Sequence, residues 1–219
     1  MSAGPIRGGG GKIAPPAGSR WGLRARGDRP GILRVFDEVQ CGVGRTGKMF
    51  AAEYEGVEPD ILLTAKGLGS GMPIGAMIVR ESIDSWENGA HGSTFGGNPV
   101  CCAAALATLD LVEGGLMANA AKMGERMIAG VRALESRYLC IGDVRGRGLM
   151  VGVEFVKDRA TREPDSDLVH RLVELAFSRG LLLLGAGKST LRLAPPLVID
   201  EQDVEPGLGI IEECLKELV

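Results

Sequence analysis

The sequence predicts a mixed α/β fold in two parts, a first domain over residues 1–115 and a smaller α/β domain over residues 116–219. Three observations predict it. Short apolar runs at residues 32–36, 61–65 and 74–79 have the length and content of buried strands. Residues 100–112 are alanine-rich, and residues 116–134 place apolar side chains at helical spacing. Residues 149–156 then alternate as a strand does, before helical patterns return at 168–179 and 201–218.

In chain order, residues 1–30 hold Gly8, Gly11, Pro15, Pro16, Gly18, Gly22, Gly27 and Pro30 with arginines between them, and read as irregular. Ile32, Leu33, Val35, Phe36 and Val39 mark a buried strand ending at Asp37 and Glu38, and acids at a strand's carboxyl end point to a site. The run 61–65 leads straight into Lys66 and the loop Gly67, Gly69, Gly71 and Pro73, and a third strand follows at 74–79. Asn98 is an N-cap and Pro99 the first residue of a helix that ends at Gly114 and Gly115. Leu116, Ala120, Met123, Met127, Val131 and Leu134 line the next helix. Gly180 stops the helix at 168–179, short strands follow at 181–184 and 191–193, and a closing helix fills 201–218.

Composition narrows the classes of function. With 219 residues, 45% hydrophobic and 24% charged, the chain has the make-up of a soluble globular protein that buries one sizeable core. A net charge of -3 with scattered basic residues gives a nucleic acid no footprint. The five cysteines lack the spacing of a zinc site or disulfide framework, which fits a reducing, cytoplasmic setting. No uninterrupted apolar run is long enough to span a membrane, and the glycine- and proline-rich amino end does not resemble a signal peptide. His91 and His170 have no partner ligands at metal-binding spacing. No metal is expected.

Two glycine motifs mislead. Gly42, Gly44 and Gly47 match a dinucleotide-binding fingerprint, but Asp37, Glu38 and Gln40 separate them from the strand, and too little chain precedes Pro59 for a crossover helix. Gly187, Lys188 and Ser189 resemble the end of a phosphate-binding loop, but Leu182 stands where that motif needs glycine, and residues 191–193 continue as strand.

The constellation that carries chemistry is Lys66 with Asp37. A cofactor-bearing lysine needs to sit at a strand end, in a tight glycine loop where its amine can be made nucleophilic. A pyridine cofactor needs an acid facing its ring nitrogen, so that the ring withdraws electrons from a developing carbanion. Each residue has a bland reading too: Lys66 as a solvated surface lysine, Asp37 as a capping acid, Thr94 as a turn hydroxyl, Arg192 as half of a surface ion pair.

Residues 36–47, 59–69, 91–99, 143–149 and 191–197 resemble, in order and spacing, the motifs of the class III pyridoxal-phosphate-dependent aminotransferases (4-aminobutyrate, ornithine and acetylornithine aminotransferase-like). That resemblance implies the carboxyl-terminal part of a fold type I large domain, with a mainly parallel sheet, plus the smaller carboxyl-terminal domain. It implies pyridoxal 5'-phosphate as cofactor, and an amino acid and a 2-oxo acid as substrates. Lys66 would form the Schiff base and then move the proton. Asp37 would pair with the pyridinium nitrogen, and Gln40 would hydrogen-bond the phenolic oxygen. Thr94, on a loop shaped by Gly92 and Ser93, would contact the cofactor phosphate of a neighbouring subunit in a homodimer with a shared active site. Arg192 would grip a substrate carboxylate, for which a planar guanidinium is suited.

The resemblance covers the family's carboxyl-terminal half only, so a truncated chain with exposed apolar surface, unstable alone or in obligate association, is expected. Gly4 and Gly9 stand where the family carries glutamates, and Arg7 where it carries glutamine. Two other readings stay open beside transamination: a PLP-dependent amino-acid racemase or epimerase, and a non-catalytic truncated remnant.

Overall fold

The structure, a computed structural model, describes residues 2–6, 9, 11 and 32–219. Arg7 and most of the stretch expected to be irregular, 1–30, lie outside them. The described residues divide into two compact units: 2–5 with 32–117, and 6, 9 and 11 with 118–219. Where the sequence reading cut the chain once, at residue 116, the structure also places residues 6, 9 and 11 with the second unit.

The first unit is built on a four-stranded sheet of β1 (Ser2–Ala3), β2 (Val35–Asp37), β3 (Ile61–Thr64) and β4 (Ala76–Val79), in that order. The first three strands run parallel and β4 is antiparallel to β3. The strand expected from residue 32 begins only at Val35, because the Arg34 backbone is already engaged. Its N–H donates to Asp60 Oδ2 at 2.8 Å, and its carbonyl accepts from the N–H groups of Asp60 and Ile61. The Arg34 guanidinium also makes two bonds of 3.1 Å to the Asp60 carboxylate, so a buried ion pair clamps β2 to β3 at their amino ends. These bonds hold Asp60 below the usual carboxylate range.

The glycine loop after β3 opens as a 3-10 turn, Lys66–Gly69. Asn98 caps α1 (Pro99–Leu111) as expected, its Oδ1 accepting from Cys101 N–H at 3.0 Å. The helix does not end at Gly114 and Gly115. It passes through a π-turn, Val112–Leu116, and continues as α2 (Met117–Glu135), because Gly115 takes a φ of 154° closed to other residues. The helical run Pro99–Glu135 is therefore long and apolar enough to cross a membrane by length and composition, with 17% of its apolar window buried.

The second unit holds α2, β5 (Ile141–Arg147), β6 (Met150–Asp158), β7 (Glu163–Pro164), α3 (Ser166–Ser178), β8 (Leu184–Ala186), β9 (Thr190–Leu193) and α4 (Glu201–Leu218). Its sheet is antiparallel in the order β5-β6-β9-β8, with β7 beside β6. The apolar stripe of α2 joins Val151, Val153 and Phe155 of β6, Leu172 of α3 and Leu215 of α4 in one core. At Gly124, α2 lies so close to the β5–β6 turn that a Cβ would come within 2.2 Å of the Gly148 backbone. Both misleading glycine motifs resolve into turns. Residues 42–47 are consecutive turns with no crossover helix, and residues 187–189 form the β8–β9 hairpin.

Candidate functional site

Parallel strands gather their carboxyl ends on one sheet edge, where open α/β sheets place ligands. Asp37 is the last residue of β2, in register with Leu63 of β3, and Lys66 begins the turn that follows β3. Both side chains are exposed. Asp37 Oδ1 accepts from Val39 N–H at 3.0 Å, which fixes the carboxylate, and Oδ2 has no partner among the described residues. Lys66 has φ 46°, a left-handed backbone that a lysine adopts only at a cost and that marks functional turns. Its Nζ makes no hydrogen bond or ion pair among the described residues. The turn needs its glycines, since a Cβ on Gly69 would lie 2.7 Å from Ile74 Cγ2.

Gln40 is half-buried in the turn between Asp37 and Gly42. Beside it sits Glu38, which was read only as one of two acids ending a strand. It is fully buried, with Oε1 accepting from Ala52 N–H at 2.8 Å and Oε2 2.8 Å from Cys41 Sγ. Alternation could have found it: Phe36 is buried, so the residue two further along the strand faces the same way.

Ser93 and Thr94 lie exposed on the loop before α1. Ser93 Oγ accepts from Gly96 N–H at 3.2 Å, and Asn98 Nδ2 donates to Phe95 O at 3.1 Å. His91 packs edge-on against Trp86 with ring centroids 4.4 Å apart, a structural contact. The helix that follows this loop packs on the Lys66–Gly69 turn.

Arg192 belongs to the second unit. It is half-buried on β9 and lines a cavity of about 270 Å³ with Leu181, Leu184, Pro196, Leu208 and Asp203. Its guanidinium has no hydrogen-bond or ion-pair partner among the described residues. Nearby, sequence reasoning missed Arg145. It donates to Gly11 O at 2.9 Å, Asp143 at 2.7 Å and Thr190 Oγ1 at 3.1 Å, and also pairs with Glu154. Gly9 O accepts from Gly187 N–H at 3.0 Å. The structure thus brings Asp37, Gln40 and Lys66 to one sheet edge, and sets Arg192 in the other unit.

The profile of the aminotransferase class-III family matches residues 3–215. The acetylornithine aminotransferase of Synechocystis sp. is 43% identical over 194 residues, covering 88% of this chain and 44% of that protein. The leucine/methionine racemase of Thermococcus litoralis is 40% identical over 220 residues, covering 100% of this chain and 50% of that protein. Among solved structures, a PLP-bound amine transaminase from an uncultivated Pseudomonas species superposes with a TM-score of 0.93 at 36% identity, covering 100% of this chain and 52% of that one. The chain spans about half the length of the relatives it matches.

Proposed function

The chain belongs to the class-III aminotransferase family, and from that premise we propose that its site transfers an amino group from an ω- or α-amino acid, such as 4-aminobutyrate or acetylornithine, to a 2-oxo acid. The observation that carries the reading is the placement of Lys66 and Asp37 at the carboxyl ends of adjacent parallel strands. An amine with no partner among the described residues, following the strand next to the one that ends in a carboxylate with one open oxygen, fits pyridoxal 5'-phosphate, which supplies an electron sink when bound. Lys66 Nζ would hold the cofactor and, when free, would carry the proton to and from the substrate carbon. Asp37 Oδ2 would hold a proton at the cofactor's ring nitrogen while Oδ1 stays fixed by Val39. Gln40 would donate a hydrogen bond to the cofactor's phenolic oxygen, and Arg192 would bind a substrate carboxylate.

Ser93 and Thr94 serve the cofactor phosphate of a neighbouring subunit in a homodimer. The exposed Phe95, Val100, Leu106 and Leu111 support association of that kind. Residues 32–117 form the part that holds the cofactor, and residues 118–219 the smaller domain. All five cysteines are free, which supports a reducing cytoplasm.

The test is an absorbance spectrum of the purified chain with pyridoxal phosphate, then borohydride reduction and peptide mapping. A band near about 410–430 nm and a pyridoxyl group on Lys66 are expected, and both vanish in Lys66→Ala. Labelling spread over other lysines, or absent, sinks the reading in favour of a non-catalytic remnant. A second reading, amino-acid racemisation, is favoured by the 40% identity to the Thermococcus litoralis racemase over the whole chain. Chiral product analysis separates them: a racemase inverts its amino acid with no 2-oxo acid added, and a transaminase does not.

A further inference from the structure

We propose that Glu38 is a positioning residue whose buried carboxylate fixes the turn carrying Asp37 and Gln40 against the strand that leads to Lys66. The proposal rests on the PLP reading above and names a residue that reading leaves out. A carboxylate with no exposure is costly to bury unless each oxygen finds a donor. Among the described residues, Glu38 finds two from different segments. Oε1 takes the Ala52 N–H that opens the 3-10 helix Ala51–Glu55, and Oε2 takes the Cys41 thiol at the far end of the turn.

The Glu38 main chain does the same work. Its N–H donates to Leu63 O at 2.9 Å, three residues before Lys66, and its carbonyl accepts from Gly42 N–H at 2.9 Å. The turn is packed around these bonds, since a Cβ on Gly42 would meet Glu38 O at 2.8 Å and Phe50 Cδ1 at 3.1 Å. Asp37 and Gln40 flank Glu38 on either side, so neither can shift without breaking this set of bonds. An apolar side chain would fill the same space, but it would strand the Ala52 N–H and release the turn.

The experiment compares the wild-type chain with Glu38→Ala, Glu38→Asp and Glu38→Gln. It reads amide hydrogen exchange at Gly42 and Ala52, and the spectrum and Lys66 label obtained with pyridoxal phosphate. Glu38→Ala is expected to speed exchange at both amides about tenfold, to shift the band and to lower the Lys66 label by a similar factor, with β5 and β6 amides unchanged. Glu38→Gln restores all of these, because its amide can accept from Ala52 and donate to sulfur. Should Glu38→Ala not fold, Glu38→Asp, one methylene too short to reach both partners, is expected to move the same signals in the same direction.

Wild-type exchange in both Ala and Asp variants overturns the proposal, as does faster exchange with an unchanged spectrum and label. If the wild-type chain itself takes no label on Lys66, the PLP reading fails; Glu38 is then judged by exchange at Gly42 and Ala52 alone, fast exchange supporting its role in the turn and slow exchange ending it.

Discussion

In residues 118–219, buried apolar side chains from Ala120 to Leu215 form one continuous cluster shared by α2, α3, α4 and the sheet. Residues 32–117 also bury apolar side chains, among them Phe36, Val43, Ala52, Val57, Leu62 and Leu68, but they hold buried charges beside them: Arg34, Glu38 and Asp60. The same unit leaves Met77 and Ile78 of β4, and Val100, Leu106 and Leu111 of α1, facing outward. One unit is held by non-directional apolar burial, which tolerates imperfect geometry. The other adds to its apolar burial directional bonds at defined atoms of Arg34, Asp60 and Glu38, and it is the one that carries Asp37 and Lys66. Fixed geometry suits a site, whose groups lose their effect when displaced by small distances.

The sharpest way to break this contrast is in the apolar unit. Phe155 on β6 is fully buried in its core, so Phe155→Ala removes a whole ring and leaves a cavity, costing about 4 kcal/mol. Hydrogen exchange at β5, β6 and β9 amides, or the denaturation midpoint, reads this directly. A loss below about 1 kcal/mol would mean the core collapses around the gap and is less tightly packed than its burial implies.

The polar unit offers the matching test at its clamp. Asp60→Asn keeps the shape but removes the carboxylate charge that faces the Arg34 guanidinium, itself 9% exposed, at a cost of about 3 kcal/mol read at β2 and β3 amides. The acid dependence has a definite sign. Because Arg34 holds the Asp60 pKa below its ordinary 3.8 in the fold, the stabilisation is fully present above that ordinary value. It is lost as pH falls through the lowered one. The wild-type chain should therefore lose β2 and β3 protection in acid more steeply than Asp60→Asn. Parallel acid profiles would show that the clamp is not what titrates.

The same contrast explains what the sequence made legible. Helix α4 spans residues 201–218 as read, because its apolar periodicity agrees with a capping acid: Asp200 Oδ1 accepts from Gln202 and Asp203 N–H. Asn98 and Pro99 fix the start of α1 in the same local way. The place of Lys66, just after a strand and opening a glycine turn, was legible through the apolar run and the glycines around it. β5 was not, because Gly142 and Gly146 and the charges at Asp143, Arg145 and Arg147 hide its alternation, and its pairing with β6 is what makes it a strand. The leucines at 181–183 have strand composition, yet the ladder begins at Leu184, and they line the cavity beside Arg192. Glu38 and the Arg34–Asp60 clamp were missed for a common reason: a composition-based reading assigns charged residues to the surface, and only a partner distant in sequence makes their burial tolerable.

The smallest effect is expected where charge meets solvent. Arg126 on α2 bonds Glu205 at 2.7 Å and reaches Glu201 at 3.3 Å, and those bonds raise its pKa. All three side chains stay well exposed, so water competes for each of them and salt screens the rest. Arg126→Ala should leave the denaturation midpoint unmoved at moderate salt, in the very unit where Phe155→Ala is most damaging. If Arg126→Ala instead lowered the midpoint as far as Asp60→Asn does, ionic pinning would hold both units, and the division between an apolar unit and a polar one would fail.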